Sequence, residues 1–149
     1  MKTDVGNDLV SAIMATADTF LRESQRLFRP HGLSGAQYNL LNVVAEFEEG
    51  LSQRELSDRL VVDRSNVTGL IDRMEKAGWV KRTNHPTDRR AYRVVPTAAG
   101  RKLWEEVTPR YLEVVAQVTD GLTERRMKEC CDTLKALETA ATTWTLPKA

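Results

Sequence analysis

Between Ser52 and Pro96 the apolar spacing changes from helical to alternating, and no other feature of the chain constrains its fold as tightly. Ser52-Gln53-Arg54-Glu55 is a capping box, in which the serine hydroxyl accepts from the N–H three residues on and the glutamate reaches back to the serine N–H. It opens a short helix with Leu56 and Leu60 turned inward. A few residues later Asp63 can cap a second helix with Val67, Leu70, Ile71 and Met74 on one face and Gly78 as its stop. Two short helices joined by a tight turn make a helix-turn-helix. Trp79 to Thr83 and Tyr92 to Val95 then read as short strands, joined by Asn84 to Ala91, a stretch of turn-forming and charged residues. A helix-turn-helix followed directly by a two-stranded hairpin is a winged helix.

The flanks are helical. From Asp8 to Phe28, apolar Leu9, Ile13, Ala17, Phe20, Leu21, Leu27 and Phe28 recur at helical spacing, and Arg29-Pro30-His31-Gly32 ends the run. Ser34 and Gln37 form a second capping box, Leu33 and Tyr38 are spaced as a hydrophobic staple, and the helix runs through Leu40, Leu41, Val44 and Phe47 to stop near Gly50. Thr97 can cap a long helix through Trp104 and on to Val118. Pro109 removes one donor from it and either kinks it or begins a new helix with Thr108 as cap. After a break at Gly121-Leu122-Thr123, Met127, Cys130, Leu134, Leu137, Ala141 and Trp144 give the stripe of a last helix. The fold class predicted is mainly α with a small β-hairpin wing. Residues 1–149 form one folding unit, with N-terminal helices at 8–49, a winged lobe at 51–96 and C-terminal helices at 97–146.

Composition narrows the function. Hydrophobic residues at 41% and charged residues at 29% suit a folded globular chain and are too apolar and too balanced for disorder. The N-terminus has no basic stretch leading into an apolar one and no run approaches a membrane span, so a cytoplasmic protein without membrane contact is expected. The two cysteines, Cys130 and Cys131, are adjacent, which excludes a disulfide scaffold; Cys130 lies in the apolar stripe and reads as core. Net charge is only +1, yet Leu51 to Lys102 holds twelve Lys/Arg against six Asp/Glu, a local surplus of +6. A basic middle between acidic flanks is the footprint of a domain with one face toward a polyanion.

Two elements of that middle carry the function. The outer face of the helix from Asp63 to Ala77 shows Arg64, Ser65, Asn66, Thr68, Gly69, Asp72 and Arg73. Small hydrogen-bonding side chains at the start of such a helix suit base edges in the major groove, and a helix N-terminus attracts phosphate. Any surface helix shows polar residues outward; the capped helix before it and the hairpin after it favour nucleic acid. At the hairpin, Thr87-Asp88-Arg89-Arg90-Ala91-Tyr92-Arg93-Val94 places three arginines close together. His85 stands beside Pro86 without HExxH or CxxC spacing, and no nucleophile motif or phosphate loop is present, so neither an enzyme, a cofactor nor a metal site is expected.

The run from Leu51 to Leu103 resembles the MarR family of bacterial transcription regulators, most clearly in Gly78-Trp79-Val80, Asp88-Arg89-Arg90 and Val94-Val95-Pro96-Thr97-Ala98-Ala99-Gly100. Leu33-Ser34-Gly35-Ala36-Gln37-Tyr38 matches the start of that family's second helix. The resemblance implies a homodimer on a pseudo-palindromic double-stranded DNA operator, a repressor released by a small aromatic or phenolic effector. It makes Asp63 to Ala77 the recognition helix, with Arg64, Ser65, Asn66, Thr68 and Arg73 on DNA. In the wing it implies that Asp88 holds Arg90 for the minor groove, while Arg89 and Arg93 meet phosphate. Arg22, Phe28, His31, Tyr38 and Trp104 are its effector candidates, each with an ordinary packing or surface alternative. Gly69 departs from the family where a larger polar residue is usual, and Pro96 where an aliphatic one is. The rival expectation is a winged helix whose basic face meets an acidic protein.

Overall fold

The computed structural model describes residues 4–60, 66–84 and 92–145. Helix α1, Val5–Phe28, starts at Asp4, whose carboxylate accepts from the Gly6 N–H at 3.0 Å. A 3-10 turn at Arg29–His31 follows and closes on Gly32 in the left-handed region, φ +71°. Helix α2, Gly35–Ala45, carries the expected capping box in both directions: Gln37 N–H donates to Ser34 Oγ at 3.2 Å, and Ser34 N–H donates to Gln37 Oε1 at 2.8 Å. It ends before the expected stop near Gly50. Gly50, at φ +75°, instead turns the chain into a strand the spacing did not announce.

That strand is β1, Leu51–Ser52. It pairs antiparallel with β3, Tyr92–Pro96, placing Leu51 opposite Val94 and Ser52 opposite Arg93. On the other side of β3 lies β2, Val80–Asn84, so the sheet order is β1-β3-β2. Two residues are too few to show a period, which is why only two of the three strands were legible. Pro96 is the last residue of β3 and pairs with Val80, so its missing N–H falls at a strand end.

Between β1 and β2 lie α3, Gln53–Arg59, and α4, Val67–Lys76. The Ser52–Glu55 box forms as expected, and Gly78 at φ +77° ends the α4 region. The expected cap at Asp63 lies outside the described residues. Helix α5, Ala98–Val118, begins where Thr97 Oγ1 accepts from the Gly100 N–H at 3.0 Å. It runs unbroken through Pro109, so the new helix capped by Thr108 is not formed. Pro109 and Glu105, whose carbonyl loses its helical donor, are both exposed, and water can satisfy that carbonyl. Helix α6, Glu124–Thr143, is capped by Thr123, which accepts from the Arg126 N–H.

The chain divides into two compact units, Met1–Tyr111 and Leu112–Ala149. The core lies in the first: Leu40, Leu41, Val44, Leu56, Val67, Ile71, Met74, Val80, Val94 and Val107 are fully buried. Within that unit α1 buries only Phe28 and leaves Val5, Leu9, Val10, Met14, Phe20 and Leu21 exposed. In the second unit α6 buries no residue, and Leu112, Val114, Val115, Val118, Leu122, Leu134 and Trp144 are exposed. Cys130, expected in the core, is exposed, as is Cys131. Among the described residues of its stripe, Cys130, Leu134, Ala141 and Trp144 are exposed and Met127 and Leu137 half-buried.

Candidate nucleic-acid interface

Which side of α4 faces out is decided by its apolar residues. Val67, Leu70, Ile71 and Met74 are all buried, which leaves Asn66, Thr68, Asp72 and Arg73 exposed. Of the expected DNA contacts, Asn66, Thr68 and Arg73 therefore stand on the open side of this helix. Arg64 and Ser65 precede it and lie outside the described residues, as do Asp88, Arg89 and Arg90 of the wing.

Behind the helix is a polar network that local spacing did not reveal. The Arg82 N–H of β2 donates to Glu75 Oε1 at 3.0 Å, and its guanidinium pairs with the carboxylates of Glu75 and, at 2.5 Å, Asp72. The same guanidinium lies 4.9 Å from the centre of the Tyr92 ring on β3. Partial burial pulls the Arg82 pKa down, but Tyr92, Asp72 and Glu75 together outweigh it and hold the group above its ordinary value. The Arg82 N–H, and then its guanidinium, hold the Glu75 carboxyl below its ordinary value. Half-exposed ion pairs add little stability singly; three contacts on one guanidinium fix geometry, tying α4 to the base of the wing.

Tyr92 extends the network by donating its hydroxyl to Gln53 Oε1, and Gln53 Nε2 donates to Thr68 Oγ1. Residues of β3, α3 and α4 are thus joined in one line. Arg93, expected on phosphate, turns instead to the chain ahead of β1, donating to the Gly50 carbonyl at 3.2 Å and lying 3.8 Å from the Glu49 carboxylate. Its side chain is only 21% exposed, and Nε is buried without a partner. No sequence signal marks such a contact, because Glu49 and Arg93 meet only through the β1–β3 pairing.

Four of the effector candidates are engaged around α2 and α5, and the fifth, Arg22, stands on the surface of α1. Phe28 and Tyr38 are buried and stacked at 4.5 Å between ring centres, with Tyr111 5.0 Å from Tyr38. The Tyr38 hydroxyl donates to Thr108 at 3.2 Å; burial, the larger influence, holds its pKa above the ordinary value despite that bond. Trp104 Nε1 donates to Asn42 Oδ1 at 3.0 Å, and His31 Nδ1 lies 3.2 Å from Glu106. Arg22 is exposed and paired with Asp18 at 2.8 Å. Beside these, Gln25, Arg26, Arg29 and Pro30 line an open groove of about 520 Å³.

The MarR family pattern matches residues 31–91. The transcriptional regulator TtmR of Methylorubrum extorquens is 37% identical over 97 residues, which cover 65% of this chain and 49% of that protein. The transcriptional activatory protein BadR of Rhodopseudomonas palustris is 32% identical over 106 residues, 70% of this chain and 61% of that one. The chain thus spans between about half and three-fifths of the length of these relatives. Among solved structures, CouR from Rhodococcus jostii RHA1, bound to p-coumaroyl-CoA, has the same fold with a TM-score of 0.81, covering 99% of this chain and all of that one at 24% identity.

Proposed function

The chain belongs to the MarR family, and on that premise we propose that it is a homodimeric, sequence-specific double-stranded DNA-binding regulator of transcription. The observation that carries the proposal is α4 itself. Its apolar face is locked into the core, its polar start is open, and Arg82 ties its far end to the wing. A helix held this rigidly can enter a major groove as a unit with the wing following the backbone. In this reading Arg64, Ser65, Asn66, Thr68 and Arg73 meet the major groove and its phosphates. Asp88 orients Arg90 into the minor groove and Arg89 meets phosphate. Arg93 braces the wing through the Glu49–Gly50 carbonyls.

Dimerisation is supported by the apolar surface left open in each unit. Leu9, Val10, Met14, Phe20 and Leu21 on α1 are exposed in the first, and Leu112, Val114, Val115 and Val118 on α5 in the second. Burying one large apolar side chain is worth roughly 1.5–3 kcal/mol, so a second copy covering these faces is strongly favoured. A two-fold dimer presents two α4 helices to half-sites about one DNA turn apart. Repression is the mode that asks least of the molecule, since an occupied operator excludes polymerase without a further contact. Release by a small aromatic effector is supported by CouR, solved with p-coumaroyl-CoA. The test is selection of bound duplexes from a random pool, followed by release with aromatic acids, phenols and their thioesters. Enrichment of a pseudo-palindrome, with affinity falling steeply with salt, is expected. Binding that ignores sequence would sink the proposal and leave the basic face to an acidic protein partner.

A further inference from the structure

The line of hydrogen bonds ending on Thr68 constrains what that residue can read. Tyr92 donates its hydroxyl to Gln53 Oε1, with the amide nitrogen turned toward α4. Gln53 Nε2 then donates to Thr68 Oγ1. The line is anchored at its other end, where Arg82 lies over the Tyr92 ring while paired with Asp72 and Glu75. A hydroxyl has one proton and two acceptor lone pairs. With an amide N–H on one lone pair, the oxygen is polarised and its own proton becomes the stronger donor.

We propose that Gln53, held by Tyr92, is a specificity-determining positioning residue that makes Thr68 a hydrogen-bond donor to an acceptor on a base edge. The proposal rests on the DNA-binding reading above. Thr68 is exposed and is the second residue of α4 as described, and the first turn of a recognition helix is where base edges are met. A donor there accepts partnership from guanine O6 or N7, adenine N7 or thymine O4, and is refused by the cytosine amino group. Gln53 touches no base; it acts through the hydroxyl it polarises.

Wild type, Thr68→Val, Gln53→Ala, Gln53→Glu and Tyr92→Phe are compared by binding selection on a half-site library, with salt titrations of each. Wild type is expected to prefer an acceptor-bearing base at one position per half-site. Thr68→Val should flatten that preference by roughly threefold to tenfold, the discrimination of about one hydrogen bond. Gln53→Ala and Tyr92→Phe should flatten the same position, and Gln53→Ala should add nothing to Thr68→Val. Gln53→Glu gives the sharpest outcome: a carboxylate only accepts, so Thr68 must donate to it and offer its lone pairs outward. Preference should then move toward an amino-bearing base at that position. A uniform loss of affinity across all sequences in Gln53→Ala, with the profile kept, would reduce Gln53 to packing and overturn the proposal. So would an unchanged profile in Gln53→Glu. A wild-type chain that selects no sequence overturns the DNA-binding reading itself.

Discussion

Gly69 and Gly100 both lie in helices, and alanine should act on them in opposite directions. Helix propensity alone favours alanine by about 1 kcal/mol at each site. Among the described residues, a Cβ at Gly69 would meet only Arg73 Nη1, at 3.4 Å, the far end of a flexible side chain. Gly69→Ala should therefore gain most of that 1 kcal/mol. At Gly100 the Cβ would lie 1.9 Å from the Trp79 carbonyl oxygen and 2.8 Å from its carbon. An ordinary carbon–oxygen contact is about 3.3 Å, so the start of α5 would have to move by more than an ångström. That carbonyl already accepts from the Thr97 N–H at 3.0 Å, and Thr97 Oγ1 donates to the Gly78 carbonyl at 2.6 Å. Loss of those two bonds costs about 2 kcal/mol and overpacking about 2 more. Less the propensity gain, Gly100→Ala should destabilise by about 3 kcal/mol and lower the melting temperature by roughly 10 °C. Urea unfolding followed by circular dichroism, at one fixed chain concentration because association shifts apparent stability, measures both variants. A Gly100→Ala chain as stable as wild type would refute the packing argument.

Arg90→Ala should weaken operator affinity strongly while leaving melting temperature and dimer mass unchanged, as read by salt-controlled titration and sedimentation. Arg82→Gln should cut operator affinity more than it lowers stability, since it frees α4 from the wing while removing only partly exposed pairs; hydrogen exchange of α4 and β2 should rise with it. Phe20→Asp on α1 should shift sedimentation toward the monomer and cost palindrome binding more than half-site binding. Glu55 is held low by the Ser52 N–H and then its hydroxyl, and Glu75 by Arg82. A depressed folded pKa stabilises above the ordinary value of 4.5 and is lost as pH falls through the folded value. Glu55→Gln with Glu75→Gln should accordingly make the urea midpoint less sensitive to acid below about pH 4.5; an unaltered acid slope would refute the assignment.

What could be read from the sequence was local. Both capping boxes, the Gly78 stop and the Thr97 cap formed as expected, because each is a contact between residues at most four apart whose chemistry needs no partner from elsewhere. The buried side of α4 was legible for the same reason: helical spacing puts Val67, Leu70, Ile71 and Met74 on one face whatever they pack against. Strand β1 was not, since its existence comes from pairing Leu51 and Ser52 with Val94 and Arg93.

The sequence by itself therefore determined the order of the helices and of the two hairpin strands, the caps at Ser34, Ser52 and Thr97 and which face of α4 is apolar, because backbone hydrogen-bond satisfaction and periodicity act over a single turn. It also carried the MarR resemblance, which lies in contiguous motifs. Only the tertiary structure decided which polar side chains face outward free and which are spent inside the protein. Arg82, equivalent by sequence to any other wing arginine, is committed to Asp72 and Glu75, and Arg93 to the Glu49–Gly50 carbonyls. Tertiary contact likewise puts the Gln53 amide, distant in sequence, on Thr68. Phe28 and Tyr38 stack against one another in the core, while Cys130 stays exposed. The physical reason is range: a charge or hydroxyl takes its partner from whatever the fold brings within about 3 Å, and no local pattern specifies that.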